Sequence, residues 1–302
     1  MAHLPQHMLT GYWHNFYNGA KCLRIRDIPL DYDMIVVSFA DSTPVPGAVT
    51  FALNSEVSEK LNGYSRQEFI EDIQWVKARG QKVILSVGGE LGNIEMTQES
   101  HAVRFAESFY DLMNGYGFEG VDIDLEHGIP EKLLELALRR LHALAGPELI
   151  IAMAPQTLDM QDANQSYFKL ALNIKDILTV VNTQFYNSGA MLGLDGKSYK
   201  QGSVDFITAQ AALQLESGLR PDQVGLGFPS CIKAAGSGYV DPSVVLDAYT
   251  CLTQGVVKGT YLPPRTYPTL RGLMTWSINW DATFDYQFSR TVAPVLKASR
   301  QK

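Results

Sequence analysis

The sequence predicts a single (β/α)8 barrel. Three observations lead there: strand-like and helix-like segments alternate along the chain, eight of the former can be counted, and 302 residues is an ordinary length for such a barrel in one domain, here taken as 1–302. With 46% hydrophobic and 19% charged residues and no linker-like tract, the chain has the composition of a globular protein with a large core.

The first strand is read at Leu9 to Phe16 and the second at Met34 to Ala40, both rich in β-branched and aromatic residues. A helix follows at Ser65 to Arg79, where Ser65 and Glu68 have capping-box spacing and Gly80 suits the exit. The third strand, Lys82 to Gly89, leads to a helix at Ser100 to Tyr116. The fourth, Gly120 to Glu126, leads to one at Pro130 to Ala145, with proline at its first turn and Gly146 at its end. The remaining strands are Leu149 to Pro155, Val180 to Asn187, Gln223 to Ser230 and Gly272 to Trp280, and the later helices are Asp205 to Glu216, Asp241 to Gln254 and Gln287 to Ser299. The helical pattern is weakest around Ala20 to Pro29 and Phe168 to Leu178. An open doubly wound sheet is the alternative, but Gly11-Tyr12-Trp13-His14-Asn15 replaces any glycine-rich nucleotide fingerprint after the first strand.

A formal charge of −7 with scattered Lys and Arg excludes nucleic acid and anionic membrane as expected partners and favours a neutral substrate. No apolar run approaches the roughly 20 residues of a membrane helix. Residues 1–7 lack the charged start and apolar run of a signal peptide and are expected to be disordered; the chain is then either intracellular or a mature fragment. Cys22, Cys231 and Cys251 are too few for a zinc module or disulfide framework; Cys231 and Cys251 could pair, though free thiols are the simpler expectation. No His pair has ligand spacing, so neither metal nor cofactor is expected.

The fourth strand carries the chemistry. Side chains alternate faces, so Val121, Ile123 and Leu125 point one way and Asp122, Asp124 and Glu126 the other. In an antiparallel sheet the acids could meet water; in a parallel barrel both faces are covered, and each buried carboxyl costs several kcal/mol unless protonated, hydrogen-bonded or used. One shared cation is disfavoured, because the backbones of Asp122 and Glu126 lie roughly 13 Å apart along a strand. Like charges on one face imply that Asp122 or Asp124 holds a proton near neutrality, leaving Glu126 at the carboxyl end, where barrel active sites lie.

With this ladder, Glu119-Gly-Val-Asp122-Ile-Asp124-Leu-Glu126, the sequence resembles the family-18 glycoside hydrolases, whose signature is D-x-x-D-x-D-x-E. Glu119 in place of Asp, and Leu125 at an often aromatic position, are departures that leave the last three acids untouched. Ser86-Val87-Gly88-Gly89 matches S-x-G-G, which in the family builds the wall beside the catalytic strand. Met153-Ala154-Pro155 would place Met153 on the floor of the substrate pocket. Gln184-Phe185-Tyr186-Asn187 looks like the Q-x-Y-N variant of the plant and bacterial chitinase branch, and Trp276 matches the tryptophan beneath the sugar at the cleavage point. Tyr12, Trp13 and Trp280 are further candidates.

The resemblance implies a secreted, monomeric chitinase acting on chitin or N-acetylglucosamine oligomers by substrate-assisted, retaining catalysis. Glu126 would be the acid, Asp124 would orient the acetamide, Asp122 would share its proton, and Tyr186 would hold the acetamide carbonyl. Only about 40 residues separate the last two strands, too few for the α+β insertion of one branch, which implies an open groove and attack within the polymer. An endo-β-N-acetylglucosaminidase acting on protein-linked glycans shares the ladder, and a non-hydrolytic lectin shares the barrel; Trp276 and the Gln184 motif speak against the first, Glu126 against the second.

Overall fold

A computed structural model describes residues 4–300. Its eight parallel strands are β1 (Met8–His14), β2 (Met34–Ser42), β3 (Lys82–Gly89), β4 (Gly120–Leu125), β5 (Ile150–Met153), β6 (Val180–Gln184), β7 (Val224–Pro229) and β8 (Gly272–Trp276). Each pairs with the next, and β8 returns to β1 through Met8↔Gly272 to Gly11↔Thr275, closing the barrel.

The outer helices are α1 (Arg66–Ala78), α2 (Glu99–Tyr116), α3 (Glu131–Ala145), α4 (Ser166–Asn173), α5 (Val204–Glu216), α6 (Pro242–Gln254) and α7 (Gln287–Ser299). Ser65 and Glu68 form the reciprocal cap of α1, and Gly117 and Gly255 close α2 and α6 in the left-handed conformation that a Cβ disfavours. Where the helical pattern is weakest, Ala20 to Pro29 holds a single 3-10 turn at Ile25–Asp27, and α4 is only eight residues long.

Alternation sorts the core into two shells. Ile35, Val37, Val121, Ile123, Ile151 and Val181 pack outward against buried helix residues such as Phe105, Phe109, Leu134 and Phe206; deleting one such phenylalanine would cost about 3–5 kcal/mol. Inside the barrel, Met8, Met34, Val36, Ile84, Ile150, Ala152, Val180 and Met274 fill the lower end. The apolar packing thins toward the carboxyl end, where polar side chains take over.

Several details differ from the sequence reading. The last strand stops at Trp276, because Ser277 caps a short helix, Ile278–Thr283, by accepting from the Trp280 amide. Trp280 is therefore buried behind the strand beside Ala20 and Cys231. Of residues 1–7, 1–3 lie outside the described residues, while His7 is buried with its Nδ1 2.5 Å from the Tyr249 hydroxyl. All three cysteines are free.

Candidate active site

On β4 the apolar and acidic faces separate as alternation requires: Val121, Ile123 and Leu125 join the outer core, and Asp122 and Asp124 face the barrel axis at 0% and 4% exposure. Glu126, one residue beyond the strand, is partly exposed. Asp122 Oδ2 accepts from the Tyr12 hydroxyl of β1 at 2.8 Å and from Ser86 Oγ of β3 at 2.6 Å. Its Oδ1 is buried without a hydrogen-bond partner among the described residues. Gln184 Nε2, on β6, donates to Asp124 Oδ1 at 2.9 Å and to the Ala154 carbonyl at 2.8 Å, and approaches Glu126 Oε1 at 3.3 Å.

Burial sets the proton balance. It lifts the Asp122 carboxyl to about 6, against the pull of hydrogen bonds from Ser86 and Tyr12. Asp124 is held well above the ordinary carboxylate range by burial first and then by the charges of Asp122 and Glu126, with Gln184 opposing. The Tyr12 and Tyr186 hydroxyls, raised mainly by burial and by those same acids, stay neutral donors.

The two glycines after Ser86 make the wall possible. Gly88 sits at φ +125°, opposite Asp124, and a Cβ there would lie 2.2 Å from the Asp124 carbonyl oxygen. Gly89, at φ +77°, leaves room for the Phe39 ring, which a Cβ would meet at 2.6 Å.

Above the acids opens a cleft of about 1470 Å³, lined by Asp124, Glu126, Tyr186, Asn187, Gly88, Gly89 and Trp276 among others. Trp276 is braced by aromatic rings: Tyr12 at 5.5 Å, His14 at 4.8 Å, Phe39 at 6.0 Å and Phe16 at 6.2 Å between centroids. Burial lowers His14 to about 3, so it packs as a neutral ring. Asn187 adopts φ +51° and its Oδ1 accepts from the Ser237 amide at 2.9 Å, pinning the loop that forms the opposite rim.

The geometry thus gathers Tyr12, Ser86, Gly88, Gly89, Asp122, Asp124, Glu126, Gln184, Tyr186, Asn187 and Trp276 at one end of the barrel. Met153 is the exception and a correction. It belongs to the outer core with Ile151, at 0% exposure, because Asp122 pairs in register with Ala152, so that Ala152 and Ala154 turn inward on β5. Trp13 is likewise outward and buried, its indole N–H donating to the Leu23 carbonyl. Glu119 pairs with Lys82 at 2.7 Å and accepts from the Val83 amide at 3.3 Å, tying the lower ends of β3 and β4 together.

Sequence reasoning missed four participants. Phe16 and Phe39 line the cleft, and His14 sits beneath Trp276. Gln156 Nε2 approaches Glu126 Oε2 at 3.4 Å; its signal was its place two residues beyond Ala154, on the inward parity of β5.

Comparison with known proteins identifies the family and the fold. Residues 8–285 match the family described as Glycosyl hydrolases family 18. The sequence is 35% identical to Chitinase D of Niallia circulans over 97% of this chain; the chain spans only part of the curated relatives it matches, 62% of the length in this case. A crystal structure of a candidate chitinase A from Streptomyces coelicolor is similar with TM-score 0.94 and 54% identity, over 97% of this chain and 99% of that one. A family GH18 chitinase from Chromobacterium violaceum gives 0.89 and 34%, over 97% and 84%.

Proposed function

Since this chain belongs to family 18 of the glycosyl hydrolases, we propose that it hydrolyses β-1,4 linkages in chitin and N-acetylglucosamine oligomers, with Glu126 as general acid and base. The observation that carries the reading is the division within one row of carboxyls. Asp122 is sealed below and Asp124 is buried at the cleft floor, while Glu126 alone of the three is partly exposed in the cleft that Trp276 also lines. The relatives named as chitinases support the substrate.

In the proposed reaction Glu126 gives its proton to the glycosidic oxygen as the bond to the anomeric carbon breaks. The carbonyl oxygen of the substrate's own 2-acetamido group attacks that carbon, forming an oxazolinium ion. Asp124 accepts from the acetamide N–H and balances the developing positive charge, and the Tyr186 hydroxyl donates to the acetamide oxygen. The unpartnered Oδ1 of Asp122 lets it share the proton that burial keeps on the pair. Glu126, now a carboxylate, takes a proton from the water that opens the ring, and configuration is retained. The segment between β7 and β8 contributes α6 as its regular element, which fits an open groove and cleavage within the polymer.

Glu126→Gln is expected to keep the thermal unfolding temperature and oligomer binding while turnover of an N-acetylglucosamine hexamer falls about 10³-fold or more. Near-normal turnover would reject Glu126 as the acid. In the unmodified protein, proton NMR of fresh products should show the β anomer, and dimers as the only early product would reject the endo mode.

A further inference from the structure

A fourth carboxyl stands behind Glu126, outside the β4 row. The chain leaves β5 through Pro155, and Gln156 then bridges in parallel to Gln184 before a 3-10 turn, Thr157–Met160. Asp159 lies in that turn, half-buried, and its Oδ2 accepts from the Gln156 amide at 3.1 Å. No Lys or Arg forms an ion pair with Asp159 among the described residues. The Gln156 side chain meanwhile reaches Glu126 Oε2. One short turn therefore delivers to the reacting carboxyl both a neutral donor and, behind it, an uncompensated negative charge.

We propose that Asp159 is a positioning residue for the reaction assigned above: it fixes the turn that aims the Gln156 amide at Glu126, and its charge helps the site keep its proton as pH rises. The inference rests on Glu126 being the acid. Two like charges across Gln156 repel, so that each makes loss of the other's proton harder. Burial raises the Asp159 carboxyl from its ordinary value, the Gln156 amide opposes that rise, and the Glu126 charge adds a smaller lift. The other titratable groups facing this corner are Asp124 from β4, Tyr186 from beyond β6 and Tyr167 from α4, with His127 and Glu90 on the same cleft wall. Of these, burial raises Asp124 and both tyrosines, leaving Asp159 as the charge that one substitution removes without touching the acid row.

The two halves of the device have opposite signs. Asp159→Asn keeps an oxygen for the Gln156 amide but removes the charge, so the alkaline limb of kcat against pH should move down by about half a unit to one unit. Gln156→Ala removes a donor that favours the ionised carboxyl, so the same limb should move up while kcat falls. A structural role alone would move neither limb in this opposed way. A second measurement needs no turnover: in a carboxyl-carbon NMR titration of the whole protein, the Asp159 midpoint should fall in Glu126→Gln relative to the parent. An unchanged midpoint overturns the coupling whether or not any sugar is cleaved. If the parent cleaves the hexamer but Asp159→Asn leaves the alkaline limb in place, the inference fails and the assigned function stands. If the parent does not cleave it, the assigned function fails, and the NMR titration still decides the coupling.

Discussion

Asp122 offers a way to measure what the buried acids cost the fold. Its carboxyl is raised from 3.8 to about 6 by burial, and an acid raised in the folded state destabilises that state once ionised. The penalty is absent well below 3.8, grows as pH rises through the folded value, and is complete above it. At 1.36 kcal/mol per unit, it amounts to about 1 kcal/mol at pH 4.5 and about 3 kcal/mol at pH 7.5. Asp122→Asn presents the neutral form permanently, and its amide oxygen can still accept from Tyr12 and Ser86. The variant should therefore gain about 2 kcal/mol on the parent between pH 4.5 and 7.5, or about 3 °C in unfolding temperature for a chain of 302 residues. Urea or thermal unfolding of both proteins across that range, with hexamer turnover in parallel, is the assay. Turnover should fall as stability rises. A stability difference that stays flat, or that shrinks toward pH 7.5, would refute the reasoning that Asp122 is held in place against an ionisation penalty.

Two further substitutions probe the walls. Gly88→Ala should lose about 3 kcal/mol or more, since it adds left-handed strain to a backbone overlap with Asp124, whereas Gly63→Ala, at φ +87° with open space around it, should lose only about 1 kcal/mol; equal losses in thermal unfolding would dismiss the close approach of β3 to β4. Trp276→Ala should lower kcat/KM for the hexamer at least tenfold, and an unaltered kcat/KM would remove this ring from the sugar platform.

Most of the barrel was legible because its determinants are local. Eight strand patterns, caps at Ser65 and Asp241, and exits at Gly80 and Gly146 depend on neighbours within a few residues. The acid row was legible in two steps, as strict alternation on one strand put Asp122 and Asp124 on a common face, and the count of eight strands made that face the barrel interior. Met153 shows how that logic can be overruled wrongly. A motif put it in the pocket, while parity with Ala152, the register partner of Asp122, turns it outward. Gln156 and Asp159 were harder to see, because their approach to Glu126 depends on how the chain turns after Pro155, and turn geometry is written only weakly in Gln-Thr-Leu-Asp.

The aromatic brace marks where alternation itself stops. Barrel closure puts β8, β1 and β2 side by side, so Trp276, Tyr12, His14 and Phe16, all on inward parity, could have been read as neighbours once eight strands were counted. Phe39 could not. By parity with Ile35 and Val37 it belongs to the outer core, yet it stacks on Trp276 at 18° between planes. The register of β2 against β3 slips between Ser38 and Ala40, and this irregularity carries one ring from the helix side to the cleft. Gly89 then becomes intelligible as its counterpart on β3: the ring turned inward by the slip occupies the space that a Cβ at Gly89 would need. The requirement for glycine at that position thus follows from a bulge on the neighbouring strand, a dependence between residues fifty apart that no periodicity within either strand records.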